Sequence, residues 1–308
     1  MTAPSDLTSR LGLGPDARAV ILNADDFGMC HAANTAISAL LADGRIDSAT
    51  VMVPCSWSPE ALAFAAARTD LDVGVHLVLT SEWTRYRWRP LTDGRSLVDA
   101  DGFFPPQVVT VEQQADEDEV VAELAAQLQS ALDAGVDVTH LDNHMGSVYG
   151  LETGRDFLQH VFALAARHRL PFRLPRIMDG TESDAALQSK LALAATVAAE
   201  HGIEIVDRLW THPFELSGEG TDHEESYEQV RDGFIALLRA APAGVTEIYL
   251  HPMTGGEELR AAVDYGSEKR EYERRLLSDS AVLAAIEEEG LVRIGWRALR
   301  DLQRGTTR

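Results

Sequence analysis

Val20-Ile21-Leu22-Asn23-Ala24-Asp25-Asp26-Phe27-Gly28 is an apolar run that ends abruptly in two carboxylates and a glycine. Its apolar part, from Ala19, predicts a buried strand, and parallel strands deliver their functional residues at their carboxyl ends. Working outward, seven similar runs recur at Ser48 to Pro54, Val73 to Leu79, Val138 to Asp142, Phe172 to Ile177, Ile203 to Val206, Val245 to Leu250 and Leu291 to Trp296. Helical patterns separate most of them. Ala33, Ile37, Leu40 and Leu41 mark one helical face, and Val121, Leu124, Leu128 and Leu132 mark another before Gly135 supplies a stop. About eight strands alternating with helices predict an irregular (β/α) barrel, TIM-barrel-like, of α/β class. No Ser/Gly/Pro-rich linker divides the chain, so the expectation is a single domain over 1–308 with its core at about 19–300.

The composition narrows the function. Over 308 residues, Lys plus Arg total 27 against 49 Asp plus Glu, a net charge of -22. A surface so acidic gives no electrostatic grip on nucleic acid or anionic membrane, and no apolar run reaches the roughly 20 residues a membrane span needs. No signal peptide or anchor is read at the amino terminus. Two cysteines, Cys30 and Cys55, form no Cys-x-x-Cys pair and no disulfide framework, which points to a reducing cytoplasm. A homodimer is left open. Gly146-Ser147-Val148-Tyr149-Gly150 has its serine in the wrong place for a nucleophile elbow, and neither a dinucleotide loop nor a phosphate loop is present.

Two stretches break the βα rhythm. Ser81 to Pro106 has no helical period and predicts a long loop beside the carboxyl end of the third strand. Its Trp83, Tyr86 and Trp88, with Arg85, Arg87 and Arg89 interleaved, would either face a substrate at the barrel mouth or anchor the loop onto the barrel. Glu215 to Glu225 is the second stretch, polar and acidic. The cluster Asp116 to Glu119 reads as the solvated first turn of a helix.

Asp25 and Asp26 taken alone would serve equally as a turn that caps the next helix. Their company favours chemistry. His76 ends the third strand, and His140, Asp142 and His144 at the fourth would project to one side of an extended strand. His212 follows the sixth strand and His251 the seventh, so five of the ten histidines stand at strand carboxyl ends. One carboxylate and two imidazoles from separate strands would hold a divalent ion with positions open for water and substrate. A second carboxylate would act as general base and a histidine across the site as general acid, the pattern of a metal-dependent hydrolase.

The ordered motifs Asn23-Ala24-Asp25-Asp26-Phe27-Gly28, Gly74-Val75-His76-Leu77, Thr139-His140-Leu141-Asp142-Asn143-His144 and His251-Pro252 resemble the YdjC-like carbohydrate deacetylases, the family of chitooligosaccharide and hopanoid-biosynthesis deacetylases. The resemblance spans roughly Val20 to Trp296. It implies an irregular (β/α) barrel that removes an acetyl group from an N-acetylated amino sugar or oligosaccharide by attack of metal-bound water on the acetamide. By motif it implies Asp26, His76 and His144 as metal ligands, Asp25 as general base and His251 as general acid. One divalent ion is expected, Zn²⁺ ahead of Mg²⁺ because imidazole ligands favour zinc. His140, Asp142, Arg173, Arg176, Trp83, Trp88 and His212 are expected to touch the substrate or support the ligands from behind. Many members carry a histidine two residues after the last ligand; here that position is Gly146, so the pocket beside the metal differs. The competing readings are another metal-dependent amide or phosphoester hydrolase and a noncatalytic sugar-binding barrel.

Overall fold

The computed structural model describes residues 6–178, 184–221 and 224–306. Eight parallel strands form one curled sheet: β1 (Arg18–Phe27), β2 (Ser48–Val51), β3 (Val73–Leu77), β4 (Leu141–Asn143), β5 (Pro175–Ile177), β6 (Val206–Thr211), β7 (Gly244–Leu250) and β8 (Val292–Arg293). Hydrogen bonding orders them β4-β3-β2-β1-β7-β6-β5, with β8 beside the start of β1. The two edges meet. Leu141 bridges Phe172 in parallel, the Leu141 amide donates to Pro171 O at 3.0 Å, and the Arg173 amide donates to Leu141 O at 2.9 Å. The expected irregular, TIM-barrel-like α/β fold is therefore what the chain adopts, with the first seven strands in chain order around it.

Most of the apolar runs are strands, and the differences have a physical origin. The sixth run, Ile203 to Val206, predicts a strand, whereas the strand is Val206–Thr211 and begins where that run ends. Ile203 and Ile205 are buried lead-in residues, while Arg208 and Trp210 in the ladder are only half-buried. Apolarity there follows burial and not pairing. The long helix Glu117–Asp133 is rotated from its expected face: Val121 is exposed, and Val120, Glu123, Leu124, Gln127, Leu128 and Ala131 are buried. Its acidic start behaves as expected, with the Asp116 side chain accepting from the amides of Asp118 and Glu119.

Glu123 and Gln127 explain the rotation. Glu123 accepts from the amides of Leu91 and Thr92, and Gln127 exchanges bonds with Val78 N–H and C=O. Residues 81–106 are a loop, as expected, with one 3₁₀ turn at Arg95–Leu97. The helix Glu117–Asp133 ties the loop down, through Glu123 at Leu91 and Thr92 and through Glu119 at Ser96. The acidic stretch 215–225 precedes the helix Tyr227–Ala240, and residues 222 and 223 fall outside the described residues. No helix among the described residues is long and apolar enough to cross a membrane.

The end of the barrel where the strands begin is closed by the helix Trp296–Arg304. The Trp296 ring stacks on His140 at 4.9 Å and 6°, and its indole N–H donates to Glu247 at 3.1 Å. Gly74 makes room for this layer, because a Cβ there would lie 2.6 Å from both the Nδ1 and the carbonyl oxygen of His140. The carbonyl belongs to the β3–β4 ladder and has nowhere to go. Gly74→Ala should cost about 1–3 kcal/mol as an overpacking substitution. Chemical denaturation would show a lower midpoint at unchanged slope; an unchanged midpoint would mean that the strand spacing relaxes freely.

Candidate active site

Adjacent residues of a regular strand face opposite ways, so Asp25 and Asp26 should not both reach one mouth. They do so through a bulge. The register of β1 on β2 shifts between Ala24 and Phe27, and Asp26 takes φ 64°, which breaks the alternation. Neither carboxylate caps the next helix, His31–Ala42, whose N-cap is Cys30 without a side-chain bond.

Asp26 meets the two imidazoles. Its Oδ1 lies 3.7 Å from His76 Nε2 and 3.5 Å from His144 Nδ1, all three side chains being buried. That oxygen has no hydrogen-bond partner among the described residues. A buried carboxylate oxygen left unpaired is costly, so these three atoms fit a cation between them. His76 stands on β3; His144 lies just beyond β4, at the start of the turn His144–Gly146, within which Met145 takes the left-handed φ of 55°.

A second group within metal-binding reach, Asp25, His76 and Asp142, is already satisfied. Asp142 Oδ1 accepts from His76 Nδ1 at 2.7 Å, and its Oδ2 accepts from Thr50 at 2.8 Å and from Arg173 at 2.9 Å. Arg173 also donates to both oxygens of Asp25 at 2.7 Å and to Glu247 at 2.8 Å. Asp25 accepts one further bond from Asn23. Asp142 thus sets the His76 ring with Nε2 turned towards Asp26.

Charge balance agrees with the geometry. Burial raises the Asp25 carboxyl, but the charge and hydrogen bonds of Arg173 outweigh it and draw it down to about 2. Burial opposes ionisation of Asp26 as well, and His144, His251 and His76 overcome it, leaving it well below the usual carboxylate range. Burial disfavours charge on His144, yet Glu82 and Asp26 raise it to about 10. The cluster attracts positive charge.

Glu82 carries no signal in the sequence pattern. It is the second residue of the long loop and accepts from His144 Nε2 at 2.9 Å, leaving Nδ1 for Asp26. Glu247 also escapes a reading by motifs, although a carboxylate inside the apolar run Val245 to Leu250 is a signal of a buried partner. The remaining expected residues divide. Asp25, Asp26, His76, His144, Arg173, His251 and Trp83 line one cavity of about 430 Å³. His251 is held by its amide, which donates to Glu273, and burial lowers its imidazole despite Asp26 and Asp25.

His140 lies in the barrel against Trp296, outside the cavity lining, and burial keeps it well below its usual range. His212 accepts from Lys269 at 2.5 Å, and Arg176 faces Asp207 at 3.7 Å; neither lines the cavity. Trp83 and Trp88 are each 2% exposed. Trp88 donates to Thr80 O and packs 5.9 Å from the His144 ring, whereas Trp83 packs on Tyr265 at 5.0 Å. Arg87 and Arg89 lie over Phe103. For Trp88 the anchoring role is the one the packing supports.

A family model described as YdjC-like protein matches residues 19–288. The chain belongs to the YdjC-like family. A carbohydrate deacetylase of Thermus thermophilus is 33% identical over 300 residues, 96% of this chain and 98% of its own length. One of Geobacillus stearothermophilus is 28% identical over 286 residues, 92% and 99% of the two chains. A candidate cellobiose-phosphate cleavage protein of Enterococcus faecalis V583, of known structure, superposes with a TM-score of 0.70 at 26% identity, over 92% of this chain and 99% of that one. The YdjC-like match contains every residue of the Asp26 cluster and of the Arg173 network.

Two outcomes follow from this packing. Glu82→Ala frees the far nitrogen of His144, so the affinity with which the Asp26, His76 and His144 cluster takes up an added divalent ion, read by chelator competition, should fall by about 10–100-fold, the usual effect of removing an outer hydrogen-bond partner. Equal affinity would remove Glu82 from the site. Trp88→Ala should lower the unfolding free energy by about 3–5 kcal/mol, as for other buried aromatic truncations, and a change near zero would contradict the anchoring role.

Proposed function

We propose that the protein is a metal-dependent carbohydrate deacetylase that hydrolyses the acetamide of an N-acetylated amino sugar. The observation that carries this reading is the buried, unpartnered Asp26 oxygen between two imidazoles, opening onto a cavity beside an arginine-fixed Asp25. Relatives that align along almost their whole length are carbohydrate deacetylases. Asp26, His76 and His144 would hold the ion, and two imidazoles favour Zn²⁺ over Mg²⁺. Bound there, it would polarise the acetamide carbonyl and acidify water. The buried, unpaired Cys30 and Cys55 accord with a reducing cytoplasm.

Asp25 is the base. Two parallel bonds from Arg173 keep it ionised and aim it, so it can take a proton from the attacking water without rotating away. So low a pKa makes it a weak base in isolation, and its contribution rests on position and on the acidity of the water it serves. His251 is the acid. Burial lowers its pKa and leaves it neutral at rest, so the proton that Asp25 takes from the attacking water would be handed on to His251 and from there to the departing amine. The products are acetate and the free amino sugar.

Acetate release from N-acetylated sugars, assayed beside metal content, tests the reading. Asp25→Asn should retain the metal and lose about 10²–10⁴-fold in kcat, the range expected for acid–base assistance. Loss of metal in that variant, with full activity once reloaded, would exchange the roles of the two aspartates.

A further inference from the structure

The helix Ser267–Leu276 turns Lys269, Arg270 and Glu273 inward, and all three are buried. Charged side chains on the hidden face of a helix are costly unless each has a partner there. Lys269 is bonded to His212, and Arg270 lines the cavity with its guanidinium 5.2 Å from the centre of the Trp83 ring. Glu273 accepts from the backbone amide of His251 at 2.7 Å. Two further bonds repeat the pattern, since the Met253 amide donates to Arg270 O at 3.1 Å and the Gly255 amide to Glu271 at 2.8 Å. Alternate amides of the segment that leaves β7 are thus all taken up by one helix.

The histidines around Asp26 are held in two different ways. His76 and His144 each have a ring nitrogen bonded to a carboxylate, Asp142 for the first and Glu82 for the second. His251 does not. Among the described residues neither of its ring nitrogens is hydrogen-bonded, and the ring rests against Phe214 and Tyr249, with centres 5.2 and 5.8 Å away. Its carboxylate partner holds the backbone instead. A carboxylate on one ring nitrogen fixes the tautomer, which suits a ligand, whereas a group that must gain and release a proton needs both nitrogens free. A tether at the amide aims such a ring without occupying it.

Resting on the deacetylase reading, we propose that Glu273 is a positioning residue for the general acid: by holding the His251 amide it fixes where β7 ends, and so where the imidazole meets the departing amine. Proton transfer needs the two atoms within hydrogen-bond reach, and a misplacement of about 1 Å at the reacting groups costs on the order of 10²-fold in rate. Burial pushes Glu273 up to about 7 against the pull of the His251 amide and of Lys269. The task therefore asks for an acceptor oxygen and not for a charge, and an amide oxygen would serve.

The test follows two leaving groups on the metal-loaded enzyme: acetate release from the methyl glycoside of N-acetylglucosamine, whose amine must be protonated, and 4-nitrophenol release from 4-nitrophenyl acetate, whose phenolate departs unaided. Glu273→Ala should lower kcat on the glycoside on the order of 10²-fold, with KM, ester hydrolysis and metal affinity in chelator competition little changed. Glu273→Gln should restore the glycoside rate. Equal losses on both substrates, a loss confined to KM, or a glutamine variant as slow as the alanine one would overturn the inference and leave the deacetylase reading standing. The kcat–KM split on the glycoside decides it if the ester is not turned over. Should Glu273→Ala not fold, Glu273→Asp, shorter by one methylene, is read against the same outcomes. No acetate from the glycoside by the wild-type enzyme, with metal bound, would overturn the deacetylase reading and the inference with it.

Discussion

Arg173 enters the barrel at the seam where β4 meets the approach to β5, and its guanidinium is shared by Asp25 of β1, Asp142 of β4 and Glu247 of β7. One buried cation among three carboxylates is a poor arrangement for stability, since charges taken from water are repaid only where the partners are well placed. Part of the imbalance is relieved at Glu247. Burial pushes it up to about 7 against the pull of Arg173, and its Oε2 has no partner among the described residues, as suits a carboxyl that keeps a proton. What the network supplies is orientation: the ends of strands distant in sequence are fixed to one planar group.

From that group the order propagates outward by single bonds. Arg173 holds Asp142, Asp142 holds His76, and His76 is thereby aimed at Asp26. His144 is aimed independently, by Glu82 from the long loop and by Trp88 against its ring. The two imidazoles converge on one oxygen from opposite supports. The loop that carries Glu82 and Trp88 is in turn tied to the helix Glu117–Asp133 by buried Glu123, which accepts from Leu91, Thr92 and Gln127. The loop acts as scaffold for His144.

The barrel and the histidine cluster are legible in the amino-acid sequence, because apolar runs of strand length and polar residues at their ends follow directly from a parallel sheet. The bulge at Asp25–Asp26 is not legible there. A strict period of two would send one aspartate outward, and positive φ at a non-glycine residue leaves no mark in composition. His140 shows the reverse failure. It does share the interior with Asp142, as alternation requires, yet two residues along a strand are enough to move it from the mouth to the layer packed on Trp296. Glu82 is invisible because its role depends on how a loop folds back. His212 and Arg176 stand at strand ends, where function concentrates, yet neither lines the cavity.

Barrels of this kind separate two tasks, since the residues that do chemistry and those that choose the substrate stand on different strands. Here the division follows the charge. Ionised groups crowd the ends of β1, β3, β4 and β7, and the cavity wall beside β5 and β6 is mostly leucine and methionine, with Lys190 held by Gly150 O as its charged member. Gly146, at φ +69°, with Leu151 beside it, stands at the boundary between the two.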